Sequence, residues 1–451
     1  MEIARCIDER NYRINVKTGL NLSMQPSHNG VGGIVLKAIK TALDNAKAQL
    51  AEVAKILNLA PHVHALLEEP IRQLTVKIPV RMDDGTVKLF EGYRFQHNWA
   101  IGATRGGTRF HPEETADDIK ALSMWMTVKN ACNDIPNGGA KGGIVVDPAR
   151  LSKGELERLC RGYIRAIAPI VGSWNDFPGA DIGTDMITQS WMLDEWEAMN
   201  LRHEPAGISG KTMLLGGSAG RAEATSRGLL FTTRETVNVL GLDMKGLKAV
   251  IQGFGKVGWN LAKLYQWDGV KVIAVSDFYG GIYNPDGLDV LDVDAHLQCK
   301  GKLTGYAKAV KELTNAEMLE LECDILVPCA VQNVITDENA SRIKAKILIE
   351  GANGPTTTEA EKILLEKGVF IAPDVFSNSG GTQVSHFERV QNLHDDRWTE
   401  EEVNDKLKAI FRRVFKELYQ IHKEKQITMR MACWVKAVNK VAEAMKYRGW
   451  V

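Results

Sequence analysis

Four cationic side chains and one carboxylate in this chain lie inside glycine clusters. The stretch GATRGGTRFHP (102–112) holds Arg105 and Arg109, and MTVKNACNDIPNGGAKGG (126–143) holds Lys129 and Lys141. FPGADIGTD (177–185) then presents Asp181 at a bend flanked by glycine and proline. Glycine beside a charged residue allows a ligand to approach the backbone closely. A lysine near other cations and partly removed from water has a lowered pKa and can act as a base near neutrality. A positive lysine also suits a carboxylate or a developing oxyanion, and a carboxylate suits proton transfer. Taken singly, each cation reads equally as a solvated surface charge, and Asp181 as a cap or turn former.

A second constellation concerns phosphate. Gly253, Phe254, Gly255, Lys256, Val257 and Gly258 fit G-x-G-x-x-G, and Asp277 follows 24 residues after Gly253. Alone the pattern is weak. Here an apolar strand (LKAVIQ) precedes it, a helical stretch (WNLAKLYQW) follows, and Asp277 ends the next apolar strand (KVIAVSD). Glycines then permit a tight turn and close approach of a pyrophosphate, whose charge the helix N terminus favours. The Asp277 carboxylate can accept a ribose 2′-OH and would repel a 2′-phosphate, which favours NAD; Lys256 leaves NADP open. Gly210-Lys211-Thr212 is not a P-loop, because Pro205 stands where that motif needs glycine.

These groups need elements to position them. Residues 1–32 read as irregular, and residues 33–60 have helical apolar spacing with Val35, Ala38, Ile39, Ala42 and Leu43 on one face. IRQLTVKIPVRMDDGTVKLFEGYRFQ alternates apolar and polar residues around Asp84-Gly85, which predicts a β-hairpin. Residues 114–133 and 153–170 read as helices. After Gly210 the apolar runs KAVIQ, KVIAVS, CDILVPC, AKILIEG and VFIAPD alternate with helical or loop segments, which implies a parallel sheet covered on both faces. From about 384 the chain is helical again, and such a tail crosses back to the first domain, leaving a cleft between two lobes.

The composition narrows the function. With 451 residues the chain suits two domains. Lys plus Arg (56) equals Asp plus Glu (56), so no basic field calls for nucleic acid, and a small-molecule function is favoured. The seven cysteines are scattered without zinc-ligand spacing, which reads as reduced thiols and leaves no metal expected. The N-terminal stretch has no apolar run of a secretory signal and no window is apolar enough to span a bilayer, so a cytoplasmic protein without membrane partners is expected.

The stretches YRFQHN, GGTRFHP, GGAKGG, DIGTD, GGSAGRAEAT, GFGKVG, SDFYGGIYNPDG, EGANGPTT and NSGGTQVSHFERVQN occur in this order from residue 93 to 392. Together they resemble the glutamate/leucine/phenylalanine/valine dehydrogenase family over nearly the whole chain from about residue 45, and glutamate dehydrogenase most. The resemblance implies an α/β fold in two domains. An α+β substrate-binding and oligomerisation domain would cover 1–208 and be completed by helices in 384–451; a Rossmann-type doubly wound NAD(P)-binding domain would cover 209–383. It further implies that Lys129 binds the substrate α-carboxylate, Lys141 activates water for attack on an imino acid, and Asp181 shuttles protons at the nitrogen. Thr225 and Asn353 would contact the nicotinamide end, Asn378 would hold both nicotinamide and substrate, and Ala330 belongs with the cofactor residues. A homo-hexamer is expected by the same resemblance.

Two positions read the substrate side chain in that family. Glutamate enzymes carry a lysine before GG-x-R and a serine in V-S-x-F-E, whereas leucine and phenylalanine enzymes usually carry apolar residues at both places. This chain has Ser385 but Arg105 at the lysine position, with Gly106 beside it among the substrate residues, Ala103 for the family's proline and Thr382 for a valine. Arg105 keeps the charge and adds a planar fork for a carboxylate. A diacid is favoured, with L-glutamate first. Arginine is longer than lysine, so a shorter diacid such as aspartate, or a polar side chain, stays open, as do an Arg105 paired to a neighbouring acid and a catalytically silent NAD-binding homologue.

Overall fold

The computed structural model describes residues 41–451 in full and the backbone of 13–15, 21–26 and 34–38. Strands Arg13–Asn15, Asn21–Pro26 and Ile34–Ala38 pair antiparallel in a small sheet, so the segment expected to be irregular contains strands. The helix expected over 33–60 runs only from Ala42 to Ile56. Thr41 and Asp44 form a capping box that starts it there, with Asp44 N–H donating to Thr41 Oγ1 at 3.1 Å. Val35 and Ala38 therefore belong to a strand, while Ile39 lies outside the described residues.

The predicted hairpin is present as Arg72–Arg81 and Val87–Asn98, joined at Gly85 with φ +87°. It forms the edge of a five-stranded sheet whose order continues Gly138–Val145, Thr104–His111, Asp176–Ala180. Strand Thr104–His111 is parallel to both its neighbours, with Arg105 opposite Gly139 and Phe177. A buried ion pair locks this arrangement. Arg94 donates from Nε and Nη2 to the two Asp176 oxygens at 2.7 and 2.5 Å, and from Nη1 to Gly106 O at 3.2 Å, so one side chain ties three strands. Both members of the pair are fully buried. Removing one would leave the other charge uncompensated, which costs about 3–5 kcal/mol.

The second sheet has seven strands. Lys271–Ser276, Lys248–Gln252, Ile325–Pro328, Ile347–Ile349 and Phe370–Ala372 run parallel in that spatial order, and Gly281–Tyr283 and Lys311–Leu313 add an antiparallel edge beside Lys271–Ser276. The parallel strands are almost wholly buried, the pattern expected of a sheet covered on both faces. The chain leaves Lys248–Gln252 for one neighbour and returns to the other side of it for Ile325–Pro328. That reversal makes a crevice beyond the carboxyl end of Lys248–Gln252.

Helices Gly380–His394, Glu400–Lys425 and Met429–Tyr447 complete the chain. The last packs on Ala42–Ile56 and Ala116–Cys132, so the tail does cross back. A single apolar cluster runs from Leu50 and Val128 through Ile251 and Val327 to Phe411 and the fully buried Trp434, joining both sheets' helices to the tail. Among the described residues no helix is long and apolar enough to cross a membrane.

Candidate active site

Lys141 and Asp181 meet where the first sheet faces the cleft. Lys141 sits in strand Gly138–Val145, and Asp181 begins the turn after Asp176–Ala180. Lys141 Nζ donates to Asp181 Oδ2 at 2.5 Å, and Ile182 N–H donates to Oδ1 at 2.8 Å. Glycine is required beside them: a Cβ on Gly107 would lie 2.3 Å from Asp181 Oδ2, and one on Gly106 only 1.6 Å from Ala140 O. Burial acts to raise the Asp181 pKa, but Lys141 and Arg109 more than offset it and hold the carboxyl down at about 2. Burial also pulls the Lys141 pKa below the ordinary lysine value, against the attraction of Asp181 and with the repulsion of Arg109. Arg109 Nε lies 3.6 Å from Asp181 Oδ1 and 3.6 Å from the buried Glu114 Oε2.

Lys129, in the last turn of Ala116–Cys132, reaches across the cleft. Its Nζ donates to Asn378 Oδ1 at 2.6 Å and to Asn353 Oδ1 at 3.4 Å. Asn378 Nδ2 donates in turn to Asn353 Oδ1 at 2.9 Å and Gly351 O at 3.2 Å. A charge from one lobe is thus held by neutral amides of the other. Burial draws the Lys129 pKa down to about 8, opposed by Asp374 and assisted by Lys141 and Arg105.

Arg105 and Ser385 meet the site at helix Gly380–His394, away from the Lys141–Asp181 pair. The Arg105 guanidinium donates from Nη1 to Thr382 O at 3.3 Å and lies 5.8 Å from the Phe177 ring, while its buried Nε has no partner. Among the described residues it forms no ion pair, so pairing with a neighbouring acid is not what this structure contains. Burial pulls its pKa down to about 9, and the nearby Arg221 and Arg94 add to that. Arg221, inside GGSAGRAEAT, was not singled out from the sequence; its Nε donates to Ser385 Oγ at 3.2 Å. An arginine between a glycine run and the start of helix Ala224–Val239 was the available signal. Glu114 was missed as well, because nothing in its sequence surroundings announces burial.

The glycine turn has the shape expected of it. Gly253 adopts φ +98° and a Cβ there would strike Ala330; a Cβ on Gly258 would lie 1.8 Å from Gly253 O; beyond Gly255 there is open space. No side chain caps the N terminus of helix Lys256–Trp267, so its first N–H groups are free for a phosphate. Lys256 is exposed beside this opening, and Val257 O accepts from Ser226 Oγ at 2.8 Å. Thr225 lies close enough that a Cβ on Gly381 would come within 2.8 Å of its Oγ1, which puts it beside the first turn of helix Gly380–His394. Asp277 is already occupied in part: Oδ1 accepts from Tyr279 and Gly280 N–H, and Oδ2 accepts from Leu303 N–H at 2.7 Å. A ribose hydroxyl would use its one remaining lone-pair position.

The fold and the site together define a two-lobed α/β protein with a dinucleotide crevice and a lysine–aspartate cluster facing it. The chain belongs to the Glutamate/Leucine/Phenylalanine/Valine dehydrogenase family, which residues 216–449 match, and residues 70–198 match that family's dimerisation domain. It is 46% identical over 421 residues to the cryptic catabolic NAD-specific glutamate dehydrogenase of Bacillus subtilis, covering 92% of this chain and 96% of that one. It is 45% identical over 388 residues to an NAD-specific glutamate dehydrogenase of Staphylococcus aureus, covering 86% and 93%. Among solved structures it resembles the glutamate dehydrogenase of Peptoniphilus asaccharolyticus, with TM-score 0.82, 38% identity and coverage of 91% of this chain and 100% of that one. It also resembles the leucine-bound hetero-hexameric glutamate dehydrogenase of Thermus thermophilus, with TM-score 0.86, 34% identity and coverage of 90% and 97%.

Proposed function

We propose that this protein catalyses the reversible oxidative deamination of L-glutamate, with NAD as hydride acceptor. The observation that carries the reading is the joint placement of Lys129, Lys141 and Asp181 at one end of the pocket and the unpaired Arg105 with Arg221 at the other. The relatives from Bacillus subtilis and Staphylococcus aureus are named NAD-specific glutamate dehydrogenases, which agrees with it. Glutamate, water and NAD⁺ would give 2-oxoglutarate, ammonium, NADH and one proton. The bound nicotinamide supplies the hydride acceptor; Gly253, Gly255, Gly258, Lys256, Val257, Asp277 and Ala330 would hold its dinucleotide, and Thr225, Asn353 and Asn378 its reactive end.

The chain's own groups divide the remaining work. Lys129 binds the α-carboxylate, exchanging a neutral amide partner for a charged one. Asp181 accepts a proton from the substrate ammonium once substrate draws Lys141 away from it. Lys141, with its lowered pKa, takes a proton from water so that hydroxide adds to the imino carbon, and then stabilises the resulting carbinolamine. Arg105, Arg221 and Ser385 receive the distal carboxylate, with Gly106 leaving the backbone close to it. Closure of the lobes over this cluster excludes water from the intermediate.

One observation keeps a second substrate in view. Arg105, bonded to Thr382 O and leaning on Phe177, is longer than lysine, so a shorter diacid such as aspartate would also bring a carboxylate to it. We further place the division of the chain at 1–208 with 384–451 against 209–383, and infer a cytoplasmic homo-hexamer. Purified protein given ammonia, NADH or NADPH and a panel of 2-oxo acids tests the reading. Oxidation should be fastest with 2-oxoglutarate and NADH and be lost in Lys141→Ala. Faster turnover of oxaloacetate would replace the substrate, and cofactor binding without any turnover would defeat the enzymatic reading.

A further inference from the structure

Glu114 takes part in no step above, yet it belongs to the same charge cluster. It lies in the turn between strand Thr104–His111 and helix Ala116–Cys132 and is only 5% exposed. Its Oε2 and the Nε of Arg109 are both buried without a hydrogen-bond partner. Arg109 Nε stands 3.6 Å from Glu114 Oε2 and 3.6 Å from Asp181 Oδ1, too far for a full hydrogen bond to either. One guanidinium is therefore balanced between the carboxylate proposed to move protons and a second carboxyl. The space is built for it: a Cβ on Gly143 would come within 3.1 Å of Glu114 Cγ.

The titratable and charged groups around Glu114 come from every neighbouring element. Arg109 and His111 lie on the preceding strand, Lys141 on Gly138–Val145, Tyr93 on Val87–Asn98, Asp118 on the following helix and Asp181 in the turn after Asp176–Ala180. We propose that Glu114 is a positioning residue for the Lys141–Asp181 pair, acting through Arg109. When its carboxyl is ionised it draws Arg109 from Asp181 and adds a negative charge that keeps the proton on Lys141. When it is protonated, Arg109 returns to Asp181 and Lys141 releases its proton more readily. Burial pushes this carboxyl up to about 7, so the exchange falls near neutrality. The inference rests on the roles proposed for Lys141 and Asp181.

The test is the pH profile of kcat/KM for glutamate oxidation in the wild type, Glu114→Gln and Glu114→Asp, with a neutral-carboxyl infrared titration of each. Gln keeps the volume and removes the charge. The limb on which activity rises with pH should move down by about half a unit or more, the size of one screened charge–charge term. Asp keeps the charge and should stay nearer the wild-type limb. In the infrared titration, a protonated-carboxyl signal should disappear near neutrality in the wild type and be missing from Glu114→Gln. Coincident limbs for wild type and Gln overturn the proposal, as does an infrared titration identical in both. The infrared arm needs no turnover. Failure of the wild type to turn over, or full activity in Lys141→Ala, would instead count against the functional reading itself.

Discussion

The two ends of the pocket handle buried cations differently. At one end, Lys141 faces Asp181 at 2.5 Å and Lys129 is held by two amide oxygens. At the other end, Arg105 has one backbone carbonyl and an orphaned Nε, and Arg221 has a hydroxyl. A cation already compensated by a carboxylate or by amide oxygens is satisfied before substrate arrives, whereas an unpaired one is a standing penalty that an anionic ligand relieves. The difference separates a region organised for proton transfer from one organised to require a carboxylate.

The contrast can be broken from either side. Lys141→Ala should have the largest effect, reducing kcat about 10³-fold, within the range for loss of an acid–base group, with the fold intact by circular dichroism. Next, Arg105→Leu should lower kcat/KM for 2-oxoglutarate about 10²-fold, mainly through KM, because a charge-assisted fork is lost. The same variant should melt no lower than the wild type, since it removes a buried charge that has no ion-pair partner. Asp176→Ala makes the opposite change in the same sheet, stripping Arg94 of its partner. Urea titration should show a loss of about 3–5 kcal/mol. The smallest effect concerns pH. The free-enzyme Lys129 titrates at about 8, so the protonated form that binds a carboxylate declines above that point. The kcat/KM for 2-oxoglutarate should fall through that range, by up to about tenfold per unit, and a flat profile would detach Lys129 from substrate binding.

Much of this was legible in the residues, for identifiable reasons. The turn at Gly253–Gly258 could be read because each glycine has a local consequence: a positive φ, an open approach or a close helix contact. The hairpin at Gly85 was readable because alternation and turn chemistry agree. Lys129, Lys141 and Asp181 are far apart in sequence, and only order and resemblance joined them before the sheet register did. The helix start at Thr41 was overrun because apolar spacing continued upstream, although the capping box was written in Thr41 and Asp44. Arg221 and Glu114 depend on burial, and burial is set by contacts that no short pattern records. Asp277 shows the converse: its position was predicted, but its bonds to Tyr279, Gly280 and Leu303 N–H groups were not.

The central claim is that the unpaired Arg105 end demands an anionic side chain. It is tested most directly by the ratio of kcat/KM for 2-oxoglutarate to that for 2-oxoisocaproate, measured with NADH and ammonia on the wild-type protein. The account predicts a ratio above about 10³, since an apolar side chain would leave the buried guanidinium unsatisfied. A ratio near one, or a preference for 2-oxoisocaproate, would show that Arg105 does not read the substrate.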